Sequence, residues 1–339
     1  MKSLLKEQTS AGIALTADGW TLCATQSYVT HTVHYIDNNW RLASGVLETA
    51  PFRGSHTAER LTAVSSNVVE SFGVKEEVVA ITHDEAANMV AAGRKLSDDD
   101  GWESTVCMAH QLQTIIRHTL DSSSTNQCVL ARCRKLVGHF NHSSSATDIL
   151  HDKRLALKKE QQPLTVVQDV STRWNSTFYM VRPLLQLRSA LTVVLTDPAL
   201  TKKKDDRDLF LKESEWRLAS DLVLLLEEYE QATTVVGGQS YLTLSLLMPV
   251  TTHLFDSTAK SVKKATSAAG RMFGETLNAE LRKKFPLEKA KVDPPSVLSA
   301  APDPRFRDLS FLAEAKCGDC RKVILEQAKQ LCEQRESNH

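Results

Sequence analysis

Two aspartates stand where the sequence predicts the ends of two β-strands. Asp18 closes the apolar segment that begins at Ile13, and Asp84 follows the β-branched run at 78–81. We expect the two strands to be parallel neighbours, so that both carboxylates emerge at the same edge of one sheet. Two carboxylates that close repel each other, which favours either a raised pKa or a bound divalent cation. Mg²⁺ accepts one or two carboxylates plus substrate phosphates, so the pair predicts phosphodiester chemistry.

An ordinary structural role is the alternative for these aspartates. Asp is a common helix N-cap residue, and Asp84 directly precedes a helix that we expect to begin at Glu85. Carboxylate pairs outside a longer motif are common, so the spacing alone leaves both interpretations open.

A predicted hairpin follows Asp18 in the chain. Residues 27–36 and 40–47 are rich in Val, Thr, Tyr and Trp, which are residue types that favour strands. The polar residues between them, Asp37, Asn38 and Asn39, favour a turn. Together with the segment 13–18, the hairpin supplies three antiparallel strands.

A crossover helix is predicted between the hairpin and the strand before Asp84. Apolar residues recur at helical spacing over 58–72, and Gly73 stands where such a helix would end. This crossover allows the strand at 78–81 to run parallel to the first strand. We also expect a helix over 85–94, a short strand before Cys107 and a third helix over 108–120.

The chain changes character near residue 121, where the strand patterns end. We expect polar loops at 122–126 and 141–145 and helices elsewhere, the clearest of them over 216–236. The proline-rich stretch 292–306 predicts an extended linker before a last helix. The sequence therefore predicts an α/β core over 1–121, a helical domain over 122–291, and a linker with a terminal helix over 292–339.

The composition excludes several classes of protein. The 339 residues include 41 Lys and Arg and 41 Asp and Glu, so no global positive field attracts nucleic acid and any contact with DNA must be local. No apolar stretch approaches the roughly 20 residues of a membrane helix, and charged residues interrupt the start of the chain, which argues against membrane insertion and secretion. Seven scattered cysteines are typical of reduced thiols in the cytosol or nucleus.

Two shorter motifs each leave two interpretations open. Cys107 and His110 would share one face at a helix start, where they form half of a zinc site if Cys317 and Cys320 supply the rest. A lone Cys-x-x-Cys pair is weak evidence, so we favour buried structural residues and predict no zinc. Trp174 is either a core aromatic residue or, with Arg173 beside it, a ring that stacks on a nucleic-acid base.

Seven sequence blocks, taken together, resemble the hAT superfamily of DNA transposases, and in particular its domesticated vertebrate branch, the BED zinc-finger transposase-like proteins. The blocks occur in the family's order between residues 11 and 315. They are LTADGWT (15–21), SYVTHTVHYIDNNWRLASGVLET (27–49), GSHTAE (54–59), VVAITHDEAANMVAA (78–92), CMAHQL (107–112), TRWNSTFYM (172–180) and DPRFRDLSFL (303–312).

The resemblance implies a ribonuclease-H-like core, built on a mixed sheet with flanking helices, and a long helical insertion after it. Asp18 and Asp84 match the first two acids of the family's DDE triad, which holds the Mg²⁺ used for strand cleavage and transfer. Cys107 and His110 match a block beside the catalytic core. Arg173 and Trp174 match a pair in the insertion, where the family's tryptophan stacks against DNA at the cleaved end.

Three departures from the family pattern change the expected function. In the family the third acid belongs to a helix after the insertion, and the chain ends at His339 before that segment. Four acidic residues that follow the core lack the sequence context of the third acid, namely Glu227, Glu228, Glu275 and Glu314. No BED finger precedes the core, and Glu85 replaces the family's usual asparagine. We therefore expect weak Mg²⁺ binding and a nuclear, DNA-associated protein without strand-transfer activity.

Two alternative functions stay open at this stage. One is an interaction module that pairs with related full-length chains, and the other is a fragment of an active DDE transposase. Absent closing helices would leave apolar sheet surface exposed, which predicts self-association.

Overall fold

The computed structural model describes residue 5 and residues 12–22, 26–157, 165–196, 209–286 and 295–337. The chain divides into two compact units, one of residues 1–111 with 238–242 and one of residues 112–237 with 243–339. Among the described residues, no helix has both the length and the apolar character that a membrane span requires.

The first unit is built on a mixed five-stranded sheet, as the sequence predicted. The strands lie in the order β3-β2-β1-β4-β5, with β1 antiparallel to β2 and parallel to β4. Its elements are β1 Ile13–Thr21, β2 Ser27–Ile36, β3 Leu42–Pro51, α1 Ala58–Phe72, β4 Val78–His83, α2 Ala87–Asp100 and β5 Glu103–Val106, followed by α3 Met108–Asp121, which continues into the second unit.

One face of this sheet packs on the helices α1 and α2. Alternate residues of β1, namely Ile13, Leu15 and Ala17, are buried on this face, as the two-residue period of a strand requires. The predicted crossover helix is confirmed as α1, which ends at Gly73 in the left-handed conformation with φ 68°. The core of the unit therefore lies beneath the sheet, and the intervening residues of β1 point to its other face.

An extra residue in β4 sets the register between β1 and β4. Ile13 pairs with Val78, but Ala14 pairs with Ala80, so Val79 bulges out of the pairing and is exposed. Gly12 accommodates this bulge, because a Cβ atom there would lie 2.6 Å from Val79 Cγ1. Beyond the bulge the pairing is regular up to Ala17 and His83.

Helices make up the second unit, and no strand occurs among its described residues. They are α4 Ser124–Asn141, α5 Ser144–Leu157, α6 Trp174–Leu195, α7 Glu213–Val236, a 3₁₀ turn at Leu244–Leu246, α8 Leu247–Lys264, α9 Ala268–Lys284, α10 Pro295–Leu298 and α11 Glu314–Ser337. The loop predicted over 122–126 is wrong, because Ser123 caps α4 and accepts a hydrogen bond from the Asn126 N–H.

A buried carboxylate joins α7 to the start of α9. Asp221 is 2% exposed and accepts hydrogen bonds from the N–H groups of Thr266, at 2.9 Å, and Ser267, at 2.8 Å, and from both hydroxyl groups. Gly270 leaves room for it, since a Cβ atom there would lie closer than 3.0 Å to Asp221. The turn before α9 is thus fixed by one charged side chain.

The extended conformation predicted for 292–306 is wrong over its described part. Pro295–Leu298 form a helical turn, and Val297 and Leu309 are fully buried in a small apolar cluster with Met248 and Cys320. The apolar side chains between the prolines supply the burial that holds this segment in place. Residues 292–294 lie outside the described ranges.

Candidate functional site

The register of β1 and β4 aligns Asp18 with Asp84. Ala17 pairs with His83, so the next residue on each chain is an aspartate, and residues that pair across parallel strands share a face. Ala17 and His83 are buried beneath the sheet, which places Asp18 and Asp84 on the opposite face. Asp18 is exposed and Asp84 is half-buried. The predicted parallel pairing of their two strands is confirmed.

Asp84 also has the structural role proposed as its alternative. Its Oδ1 accepts a hydrogen bond of 2.8 Å from the N–H of Ala86, the residue that precedes helix α2. The helix begins at Ala87, two residues later than we predicted, because this turn comes first. Oδ1 therefore supports this turn, and no hydrogen bond to Oδ2 is found among the described residues.

Cys107 and His110 lie beside the two acids at the start of α3. The Cys107 N–H donates to the His83 carbonyl at 2.8 Å, and its own carbonyl accepts from the Gln111 N–H. Burial raises the pKa of the Cys107 thiol, but hydrogen bonds from the ring and the N–H of His110 outweigh it and leave the pKa below its usual value.

The charge of His110 responds to both acids. The hydrogen bond with Cys107 is the main cause of its raised pKa, burial opposes the rise, and the negative charges of Asp18 and Asp84 add to it. These four side chains therefore form one electrostatic group, called here the acidic edge. A cationic His110 would offset part of the repulsion between the two aspartates.

His83 is a residue of this region that sequence analysis missed. Its ring is 3% exposed, with Nδ1 2.7 Å from the Asp84 carbonyl oxygen and Nε2 3.0 Å from Ser104 Oγ. Its position immediately before an aspartate at a strand end was the available signal. It was overlooked because the inward direction of its side chain depends on the bulge at Val79.

The donor set of the acidic edge suits a hard, weakly held cation. No group of three or more His, Cys, Asp or Glu side chains placed to hold a metal occurs in the described part of the chain. A closed zinc site, which needs four such ligands, therefore has no support. Two carboxylates on one face do fit Mg²⁺, which keeps several waters and often takes only one or two carboxylates from the protein.

Two of the cysteines and two of the acidic residues that follow the core lie in other surroundings. The Cys317 thiol lies within hydrogen-bond distance of the carbonyls of Leu309 and Ala313, and Cys320 is buried. None of the six described cysteines forms a disulfide. Within the second unit Glu227 and Glu228 pair with Arg182 and His253, at 3.7 and 2.9 Å.

Arg173 and Trp174 stand at the start of α6, and their side chains differ sharply in exposure. Arg173 is exposed, whereas Trp174 is 1% exposed and its indole Nε1 has no hydrogen-bond partner among the described residues. Trp174 lines a cavity of about 50 Å³ with Arg117, Arg134 and Gln127. A base cannot stack on a ring buried in this way, so the packing favours a core role in this conformation.

Comparisons with known proteins agree with this architecture. Residues 16–112 match the family model described as the ZBED1 RNase-like domain, and residues 105–224 match the model described as the ZBED1 RNase-like helical domain. The first match contains the sheet and the acidic edge, and the second contains helices α3 to α6 and the start of α7. Together the two models cover more than half of the chain.

Individual relatives include a transposase, a transcriptional regulator and a BED zinc finger protein. The chain is 26% identical over 296 residues to a putative transcriptional regulator, tpeD, of Talaromyces stipitatus, covering 78% of this chain and 34% of the relative. It is 26% identical over 246 residues to the putative AC transposase of Zea mays, covering 68% and 29%. It is 22% identical over 324 residues to human zinc finger BED domain-containing protein 4, covering 92% and 26%.

The chain thus spans about a third or less of the length of these relatives. Three findings agree on the family: the resemblance of the seven sequence blocks, the mixed sheet followed by helices, and the two adjoining family models. The chain belongs to the family of hAT transposases and BED zinc finger proteins that share the ZBED1 RNase-like and helical domains.

Proposed function

We propose that this chain is a transposase-derived, DNA-associated nuclear protein that binds a divalent cation weakly and has no strand-transfer activity of its own. The observation that supports the proposal is the alignment of Asp18 with Asp84 on one face of an RNase-like sheet. An RNase-like sheet supplies a rigid frame for both carboxylates, and rigid placement is what metal binding requires.

Each residue of the acidic edge would have a separate role in binding the cation. Asp18 and Asp84 would hold Mg²⁺, and Asp84 Oδ1 would keep the turn at Ala86 in place at the same time. When bound, Mg²⁺ would activate water or a 3′-hydroxyl for attack on a phosphodiester. His110 would moderate the negative charge of the two acids. We therefore expect binding at millimolar rather than micromolar metal, since only two carboxylates would contribute.

The proposed lack of strand transfer follows from the same donor set. No third His, Cys, Asp or Glu joins Asp18 and Asp84 among the described residues. Two-metal phosphoryl transfer needs the attacking and leaving oxygens stabilised together, and two carboxylates hold too few positions for that.

DNA association is proposed to be local and non-specific in sequence. Arg173 is exposed at the start of α6, where a helix N-terminus also favours a phosphate. The chain has formal net charge zero, so we expect few phosphate contacts and binding that is weak and decreases with salt. The description of two relatives as a transposase and a transcriptional regulator supports a role with DNA in the nucleus. Pairing with related chains stays a prediction.

Metal-dependent stabilisation of the full chain tests the proposal. Mn²⁺ or Mg²⁺ at several millimolar should raise the melting temperature of the wild type, because a ligand that binds only the folded state stabilises it. Asp18→Ala and Asp84→Ala should each abolish the increment. Asp98→Ala changes an exposed aspartate of α2 and should leave the increment intact. Equal increments in all four proteins would refute the metal site.

A strand-transfer assay tests the second half of the proposal. The wild type should bind a labelled duplex in fluorescence anisotropy, Arg173→Ala should bind it less tightly, and neither should cut or join it in Mn²⁺. Metal-dependent cutting by the wild type that Asp18→Ala abolishes would show that the chain is an active nuclease or transposase.

A further inference from the structure

The ring of His83 has a single tautomer that its two hydrogen bonds define. The Asp84 carbonyl oxygen can only accept, so Nδ1, 2.7 Å away, must carry the proton and donate it. In the neutral ring Nε2 accepts from the Ser104 hydroxyl at 3.0 Å. Both bonds are formed in a buried environment, where an unsatisfied polar group costs about 1 to 3 kcal/mol. The ring is therefore fixed at both nitrogens.

The surrounding backbone leaves this ring no other position. Gly93 of α2 packs against it so closely that a Cβ atom would lie nearer than 3.0 Å to Nε2, to Cδ2 and to Ser104 Oγ. The main chain of His83 is held as well, since β4 pairs with Ala17 on one side and Val106 on the other, and its carbonyl accepts from Cys107. The ring's other hydrogen-bond partner is the peptide of Asp84, which lies past the last paired residue of β4.

We propose that His83 is a positioning residue for the divalent-cation site, holding the Asp84 peptide so that the carboxylate faces the same side of the sheet as Asp18. The inference rests on the proposed metal-binding function and adds to it a residue that no ligand would touch. The side chain of His83 points beneath the sheet, while its hydrogen bond acts on the backbone that carries the ligand above it.

The physical argument concerns the freedom of one peptide. Asp84 lies just past the last paired residue of β4, so no strand pairing fixes its carbonyl. The bond from His83 Nδ1 to its carbonyl and the bond from Ala86 N–H to its Oδ1 are two restraints on Asp84 in addition to the strand pairing that ends at His83. Without the first, Asp84 would sample other backbone angles, and metal binding would have to order it again.

Two substitutions of His83 separate the positioning role from packing. His83→Asn keeps an N–H donor near the position of Nδ1 and loses the contact with Ser104. His83→Leu fills similar space and donates nothing. We expect His83→Leu to raise the dissociation constant for Mn²⁺ by about 10-fold or more, as outer-shell changes at metal sites do, and His83→Asn to remain near the wild-type value. Electron paramagnetic resonance of free Mn²⁺, with the full chain, measures both.

His31 provides the matched control in the same unit. It is also buried and also bonded to a serine, with its Nε2 2.9 Å from Ser65 Oγ, but its ring touches no residue of the acidic edge in the described contacts. His31→Leu should lower the melting temperature to a similar extent and leave Mn²⁺ affinity unchanged. Ser104→Ala keeps the Nδ1 donor and should stay near the wild-type Mn²⁺ affinity, as His83→Asn does. If His83→Leu does not fold, His83→Gln replaces it, because its amide lies near the position of Nε2 rather than Nδ1 and it should weaken Mn²⁺ binding.

The outcomes separate this inference from the proposed function. Wild type that binds Mn²⁺ no better than Asp84→Ala refutes the metal site itself, and the positioning role with it. Wild type that binds while His83→Leu, or His83→Gln in its place, binds equally well refutes the positioning role alone. Loss of affinity in His83→Asn as large as in His83→Leu would also refute it, because the donor near Nδ1 would then not matter.

Discussion

Replacing one glycine by alanine in two different helices should shift stability in opposite directions. In a helix interior this change favours the folded state by up to about 1 kcal/mol, because alanine loses less backbone entropy. Gly138 of α4 should show this gain, since a Cβ atom there meets nothing within 4 Å. Gly93 of α2 should not, since a Cβ atom would collide with the His83 ring and Ser104 Oγ.

Three contributions determine how much Gly93→Ala changes the free energy of unfolding. Overpacking costs about 1 to 3 kcal/mol, and losing the hydrogen bond between His83 and Ser104 costs about 1 kcal/mol more. The gain in helix propensity offsets roughly 1 kcal/mol of this. We therefore expect Gly93→Ala to lower the free energy of unfolding by about 2 kcal/mol and Gly138→Ala to raise it by up to about 1 kcal/mol.

Urea unfolding followed by circular dichroism measures both changes against the wild type. If the two units unfold in separate transitions, the shift should occur in the transition of the unit that carries each substitution. Stabilisation by Gly93→Ala equal to that by Gly138→Ala would refute the reasoning, because the His83 ring would then have space to move.

Two other predictions concern buried charged groups. Burial lowers the pKa of His31 from 6.5 to about 4. Between these pH values the unfolded chain binds a proton at His31 that the folded chain does not bind. The free energy of unfolding should therefore have its full value above pH 6.5 and fall by about 3 kcal/mol as the pH drops to 4. His31→Leu should flatten this slope in urea unfolding at pH 7 and pH 4.5, and an unchanged slope would contradict it. Asp221→Ala should cost about 3 kcal/mol by leaving four donors of Thr266 and Ser267 unpaired. The exposed Asp256→Ala should change stability by less than about 0.5 kcal/mol, and an equal loss in both would refute the anchoring role.

The order of strands and helices in the first unit was predictable because each residue pattern has a local cause. The β-branched hairpin, the helix that ends at Gly73 and the parallel return strand all follow from side-chain spacing and turn residues. The second unit was less predictable. Serine-rich segments predicted loops, but Ser123 and its neighbours cap and begin helix α4, since serine favours turns and helix starts equally.

The candidate site was predicted in part. The sequence indicated Asp18 and Asp84 and their parallel strands, whereas the roles of these residues and the domain boundaries stay predictions. The contact of His83 with Ser104 joins positions 21 residues apart, and the burial of Trp174 depends on packing within the helical unit. Neither is visible in local spacing, because both depend on how distant segments meet.

The bulge at Val79 shifts the register of the β4 residues that follow it by one residue relative to β1. If Val79 were paired with Ala14 instead of bulged, His83 rather than Asp84 would stand opposite Asp18, and the second carboxylate would turn toward the apolar interior beneath the sheet. An inserted residue that added to the pairing after this point would therefore separate the acids without changing either of them, whereas loss of the bulged residue itself would leave them opposite each other. In descendants of such genes, the length of this short segment is as informative as the presence of the two aspartates.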